Sequence, residues 1–120
     1  MSTSFMRPQP PYYAVIITSQ LTDEDQAGYE QMSRAMTELG VRQPGYLGRE
    51  GMVDGAGRDL TVIYYTDDAS IRAWKADIEH LEAQRLGKER WYESYHIEVA
   101  RVERAYGFTR TPSPEPVLEG

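Results

Sequence analysis

An α+β fold built in the order β-α-β-β-α-β is what this chain of 120 residues predicts, and three observations carry it. Tyr12-Tyr-Ala-Val-Ile-Ile-Thr-Ser19 is rich in β-branched and aromatic residues and almost continuously apolar, as a strand covered on both faces is. Two later stretches repeat apolar residues at helical spacing, and each is followed by a strand-like run. Between two such runs, Asp54-Gly-Ala-Gly57 has the composition of a hairpin loop, where glycine supplies the positive φ of a tight reversal.

Residues 1–11 hold three prolines and no periodic pattern, and read as a mobile lead-in. After the first strand, Thr22 or Asp23 is positioned to open a helix whose inward stripe is Tyr29, Met32, Met36 and Leu39; Gly40, or Pro44-Gly45, stops it. The second strand runs from about Tyr46 to Val53, and the third is Leu60-Thr-Val-Ile-Tyr-Tyr65. The longest helical pattern extends from Ser70 to Gly87. Asp67 or Asp68 caps its start, Gly87 suits the left-handed turn at its end, and Ile71, Trp74, Ile78 and Leu81 form its apolar stripe. A continuation is expected from Lys88 to Glu93. His96-Ile-Glu-Val-Ala-Arg-Val102 is the last strand, with alternation that slips near Ala100 as at a bulge. From Gly107 onward Pro, Ser, Thr and Glu dominate, and residues 109–120 read as a disordered tail. One domain, 12–108, remains.

This order is the split, ferredoxin-like arrangement: an antiparallel four-stranded sheet with both helices on one face. The first strand is apolar on its other face too, and that face needs a cover. A second copy of the sheet is the simplest one, so a homodimer, a dimeric α+β barrel, is expected.

Composition excludes several classes. There is no cysteine, hence no disulfide, thiolate metal site or cysteine nucleophile. The longest apolar run is far too short to cross a bilayer and no apolar leader core follows Met1, so a cytoplasmic protein without a membrane partner is expected. A net charge of −6 argues against nucleic acid, whose phosphates require clustered Lys and Arg. Nine tyrosines in so small a domain suggest a lined cavity or a subunit interface. No phosphate-cradling glycine loop, His-Glu-x-x-His pair or nucleophile elbow is present, and the two histidines, His80 and His96, lie on different elements. Neither a metal nor a flavin is expected. What remains is an aromatic collection, Tyr64, Tyr65, Trp74, Trp91, Tyr92 and Tyr95, with His80 and Arg90 as polar members.

Pro44-Gly-Tyr-Leu-Gly48, Val62-Ile-Tyr-Tyr65, Ala69-Ser-Ile-Arg-Ala-Trp-Lys75 and Glu79-His-Leu-Glu-Ala-Gln84, taken in register, resemble the antibiotic biosynthesis monooxygenase (ABM) domain family. The resemblance spans Tyr12 to Phe108. It implies a dimeric ferredoxin-like fold with a pocket between sheet and helices. Some family members resemble cofactor-independent oxygenases of phenols or anthrones; others degrade haem with an asparagine, a tryptophan and a histidine ligand. Trp74 matches the tryptophan. The ligand histidine's place falls on Gln84 or Arg85, and the chain contains no asparagine, which sets haem degradation behind.

The leading expectation is therefore a cofactor-independent monooxygenase that uses molecular oxygen on a small aromatic substrate. His80 is the base and Trp74 a pocket wall, while Tyr64, Tyr65 and Trp91 are the candidates to contact substrate. The alternative is a non-catalytic dimeric module that binds a small ligand in the same pocket. Trp74 on the inward stripe reads first as core. Tyr64 and Tyr65 project to opposite faces of their strand, so at most one lines the cavity. His80 lies nine residues after Ile71, about half a turn off the stripe at roughly 100° per residue, unless the helix kinks near Asp77.

Overall fold

The computed structural model describes residues 7–85 and 88–110, with side chains throughout except at residues 80–89. The elements follow as β1 (Tyr12–Leu21), α1 (Gln26–Val41), β2 (Tyr46–Val53), β3 (Arg58–Tyr65), α2 (Asp68–Arg85), α3 (Lys88–Trp91) and β4 (Tyr92–Val102). The strands form one antiparallel sheet in the order β2-β3-β1-β4. This is the ferredoxin-like order, with β1 in the interior between β3 and β4. No helix among the described residues is long and apolar enough to span a membrane.

The composition of β1 explains its central place. On the helix side Val15, with half-buried Tyr13 and Ile17, joins Ile63 and Tyr65 of β3 and Ile71, Trp74 and Ile78 of α2. On the other side Tyr12 and Ala14 cluster with Tyr64, flanked by Ile16, Leu47, Val62 and Val102. Each large apolar side chain taken out of water contributes about 1.5–3 kcal/mol, so a strand that fills two clusters belongs in the middle.

Two boundaries differ from the sequence expectation, the first because a distant residue intervenes. Helix α1 is capped by Asp25, not by Thr22 or Asp23. The Asp25 carboxylate accepts from the Gly28 amide at 3.3 Å and from the Trp91 indole N–H at 3.1 Å. The Trp91 and Gly28 donors, with Arg90 nearby, hold this carboxyl below its ordinary range. Thr22 is engaged elsewhere, its amide donating to the Trp91 carbonyl at 2.8 Å and its hydroxyl to the Arg90 carbonyl. Strand β4 starts at Tyr92, four residues before His96. Its register shift lies at this start, where Gln20 pairs with Ser94 but Leu21 with Tyr92; Ala100 pairs with Ala14 in an unbroken ladder. At the head of α2 the expected cap is present, with Asp67 accepting from the Ser70 amide at 2.7 Å. The expected C-terminal turn at Gly87 lies outside the described residues.

Gly40 does not end α1 but sits inside it, one residue before Val41. Its role is close approach. A Cβ there would come within 3.0 Å of the Tyr65 hydroxyl and 3.2 Å of the Trp74 indole nitrogen. The Trp74 N–H donates to the Met36 carbonyl at 3.1 Å, and the fully buried Tyr65 directs its hydroxyl at the Gly40 carbonyl, 3.4 Å away. Burial, with Tyr46 adding to it, pushes the Tyr65 phenol up to about 12.

Two stability predictions follow from this junction. Gly40→Ala gains about 1 kcal/mol of helix propensity, but it crowds an indole that its hydrogen bond holds in place, and overpacking costs about 1–3 kcal/mol. The net result in urea unfolding should be a loss of about 1 kcal/mol; a gain would mean that Trp74 yields. For Tyr65 the folded state holds its proton more tightly than the unfolded chain does. Its contribution is complete below pH of about 10 and is lost as pH rises through about 12. Tyr65→Phe should flatten the decline in unfolding free energy over that interval, and an unchanged slope would assign the decline to other groups.

Candidate functional site

A cavity of about 140 Å³, partly open to solvent, lies between the helix-facing side of the sheet and the two long helices. Its apolar walls are Ile17, Ile63 and Ile97 from the sheet, Met36 from α1, and Trp74 and Ile78 from α2. The space exists because Ser19, Ser33, Thr37 and Thr61 also face it and are too small to fill it. A cavity of about 150 Å³ is known to hold benzene, so this one suits a single aromatic ring.

The polar groups lie in two places. At one, Arg49 of β2 donates to the Thr37 hydroxyl at 2.7 Å. Arg49 faces the helices because β2 carries an irregularity: Tyr46 pairs with Tyr65 and Gly48 with Tyr64, leaving Leu47 as the extra residue. Counting alternately from the helix-facing Tyr46 would put Arg49 on the opposite side; the bulge brings it back. At the other, the Tyr29 hydroxyl donates to Asp59 at 3.3 Å, and Thr61 donates to the same carboxylate at 3.0 Å. Burial, and next the Asp59 charge, raise the Tyr29 phenol above its ordinary range. Tyr92 and Tyr95 close this end, their rings 5.3 Å apart and edge to face, with Tyr29 5.8 Å from Tyr92. On the rim, Lys75 and Glu79 pair with each other at 2.5 Å.

Of the residues singled out from the sequence, Trp74 lines the cavity and is also core, 6% exposed. Tyr92 and Tyr95 of the aromatic collection line it too, whereas Tyr64, Tyr65 and Trp91 do not. Tyr65 lies behind the cavity wall, packed edge-on against Tyr46 and beneath Gly40. Tyr64 is on the opposite face of the sheet, as the alternation of β3 requires. Its hydroxyl donates to Glu50 at 2.7 Å and accepts from Arg7 at 3.2 Å, with the Arg7 guanidinium 5.6 Å from its ring centre. Trp91 is buried beside Tyr29 and serves Asp25 at the start of α1. His80 belongs to α2, one residue after Glu79, but its side chain lies outside the described residues.

Sequence reasoning passed over Arg49 and Asp59 and took Tyr29 as core only. For Asp59 a signal was present: a carboxylate two residues before Thr61 and four before Ile63 shares their face of the strand. For Arg49 strict alternation pointed the wrong way.

No family model matches the chain. It is 41% identical to the Bacillus subtilis protein YqjZ over 97 residues, which cover 81% of this chain and 84% of that protein. Among solved structures it is similar to SnoaB, a cofactor-independent oxygenase from Streptomyces nogalater, with a TM-score of 0.64 at 11% identity over 80% of this chain and 97% of that one. A candidate antibiotic biosynthesis monooxygenase from Nitrosomonas europaea gives 0.62 at 14% identity, over 84% and 97%. At such identities the likeness concerns the fold alone, and the fold agrees with the one read from the residues. The chain thus belongs to the family of YqjZ and carries the ferredoxin-like fold of the antibiotic biosynthesis monooxygenase domain.

Proposed function

We propose that the chain is a small oxygenase that needs neither metal nor flavin and oxidises a phenolic or anthrone-like substrate held against Trp74. The observation that carries this reading is the cavity itself: apolar walls sized for one ring, with hydroxyls, a carboxylate and a guanidinium at its edges. SnoaB, of the same fold, is a cofactor-independent oxygenase, which supports the reaction class. Among anthrones, the volume favours a substrate that inserts one ring and leaves the rest at the open side.

The chemistry would run on the substrate's own electrons. His80 takes the acidic proton, and the electron-rich anion passes one electron to O₂, giving superoxide and a substrate radical. These combine as a peroxide; its protonation and loss of water leave a quinone carbonyl. One oxygen atom ends in the product, and the other leaves as water with the two hydrogens removed. The walls contribute orientation and exclusion of bulk water.

We also propose that two copies pack through the sheet face opposite the helices. Supporting this are Ile16, Val62 and Leu47 around the Tyr12–Ala14–Tyr64 cluster on that face, and the exposed Leu60 and Met52 beyond them.

Oxygen uptake with dithranol and with simple hydroquinones tests the first proposal. Turnover should fall by about 10² to 10⁴ in His80→Ala with the circular dichroism unchanged, the usual contribution of a general base. Full activity in that variant would remove His80 from the role and leave Asp59 as the acceptor to test by Asp59→Asn. If the wild type binds these phenols without consuming oxygen, the protein is a binding module. For the second proposal, light scattering at micromolar concentration should return the mass of two chains; the mass of one would end it.

A further inference from the structure

We infer that the ligand of this cavity is an aromatic acid whose anionic group, a carboxylate or a phenolate, is held by Arg49. This deepens the reading of the cavity as the substrate site and rests on it.

Among the arginines whose side chains are described, Arg49 is the half-buried exception. The other arginines with described side chains are all exposed, and Arg7, Arg42, Arg58, Arg72, Arg90 and Arg101 each lie within ion-pair distance of a carboxylate. Arg49 has the Thr37 hydroxyl as its hydrogen-bond partner and no carboxylate within ion-pair distance among the described residues. A guanidinium cannot shed its charge, and a partly desolvated charge without a counter-ion is unfavourable. Thr37 accepts one N–H of five, so the planar fork still has the paired donors that match a carboxylate.

Among the described residues, the two carboxylates that face the cavity do not meet this need. Asp59 takes the Tyr29 and Thr61 hydroxyls, and Glu79 is paired with Lys75. Asp59 also lies four residues along β3 from Ile63, the cross-strand partner of Arg49, a separation of about 13 Å at the usual rise of a strand. Ile63 is the cross-strand partner of Arg49, and with Met36 and Trp74 it lines the same cavity, offering surfaces that a ring attached to the anion would cover. In a chain of net charge −6, a cation that faces this hollow without a carboxylate partner among the described residues marks the sign of what enters it.

Calorimetric titration of the full chain with benzoate and with benzamide, at pH 7, tests this. The two probes share size and ring and differ in charge. Benzoate should bind at least about tenfold more tightly, as a charge-assisted, two-pronged contact does against a neutral one. Arg49→Gln should erase the difference, weakening benzoate far more than benzamide, and Arg49→Lys should retain part of it. Thermal melting of Arg49→Gln should show only a small change, since the Thr37 hydrogen bond is lost but no ion pair is broken. Equal affinity of the wild type for both probes would overturn the anion preference and leave the aromatic pocket standing. A preference for benzoate that survives Arg49→Gln would also overturn it. Binding of neither probe at millimolar concentration would overturn both this inference and the pocket reading.

Discussion

A buried indole N–H needs an acceptor, and Trp74 finds one in a carbonyl that α1 already employs. A helical carbonyl has a second lone pair, but side chains of the next turn usually screen it. At Met36 the residue one turn on is Gly40, and the absence of a side chain there opens the approach. Much else depends on this contact. It fixes the distance between α1 and α2, presses Tyr65 beneath Gly40, and sets Trp74 as a rigid wall. Beyond that wall the short side chains Ser33 and Thr37 leave the sheet uncovered, and the cavity is the space they do not occupy.

The sequence made the framework readable because the framework follows short-range rules. A nearly continuous apolar run in β1, period 3.6 in α2, and glycines at the hairpin gave the order of elements and the inward stripe of Ile71, Trp74 and Ile78. The opposite facing of Tyr64 and Tyr65 followed from the pleat alone. The departures come from contacts between residues far apart in the chain. Asp25 became the cap of α1 because Trp91, 66 positions later, donates to it. Arg49 entered the cavity because of an extra residue at Leu47, and a bulge has no composition that a single sequence reveals. The aromatic residues divide for the same reason: Trp74, Tyr92 and Tyr95 line the cavity, while Tyr64, Tyr65 and Trp91 have structural partners that no spacing rule displays.

The similarity to SnoaB at 11% identity is instructive beside these local facts. A shared backbone arrangement leaves the lining of the cavity free to differ, so chemistry has to be argued from the side chains. Here the lining has an unusual division. One side offers a positive charge braced by Thr37, the other a carboxylate already receiving two hydroxyls, with hydrocarbon between them. A ligand lying across this gap would be polarised along its length.

The irregularity in β2 has a consequence beyond the position of one residue. Arg49 and Glu50 are adjacent and of opposite charge, and they face opposite sides of the sheet. In the observed register Glu50 is held outside by Tyr64 and Arg7. A slide of this edge strand by a single residue would carry Glu50 inward and Arg49 out, inverting the electrical character of the chamber with no change in any side chain. Strand register thereby becomes a heritable determinant of selectivity: an insertion or deletion of one codon near the Pro44-Gly45 turn could convert a receptor for anions into one for cations. Arg7, which precedes the first strand and lies on the opposite face of the sheet from the chamber, helps to keep that choice fixed.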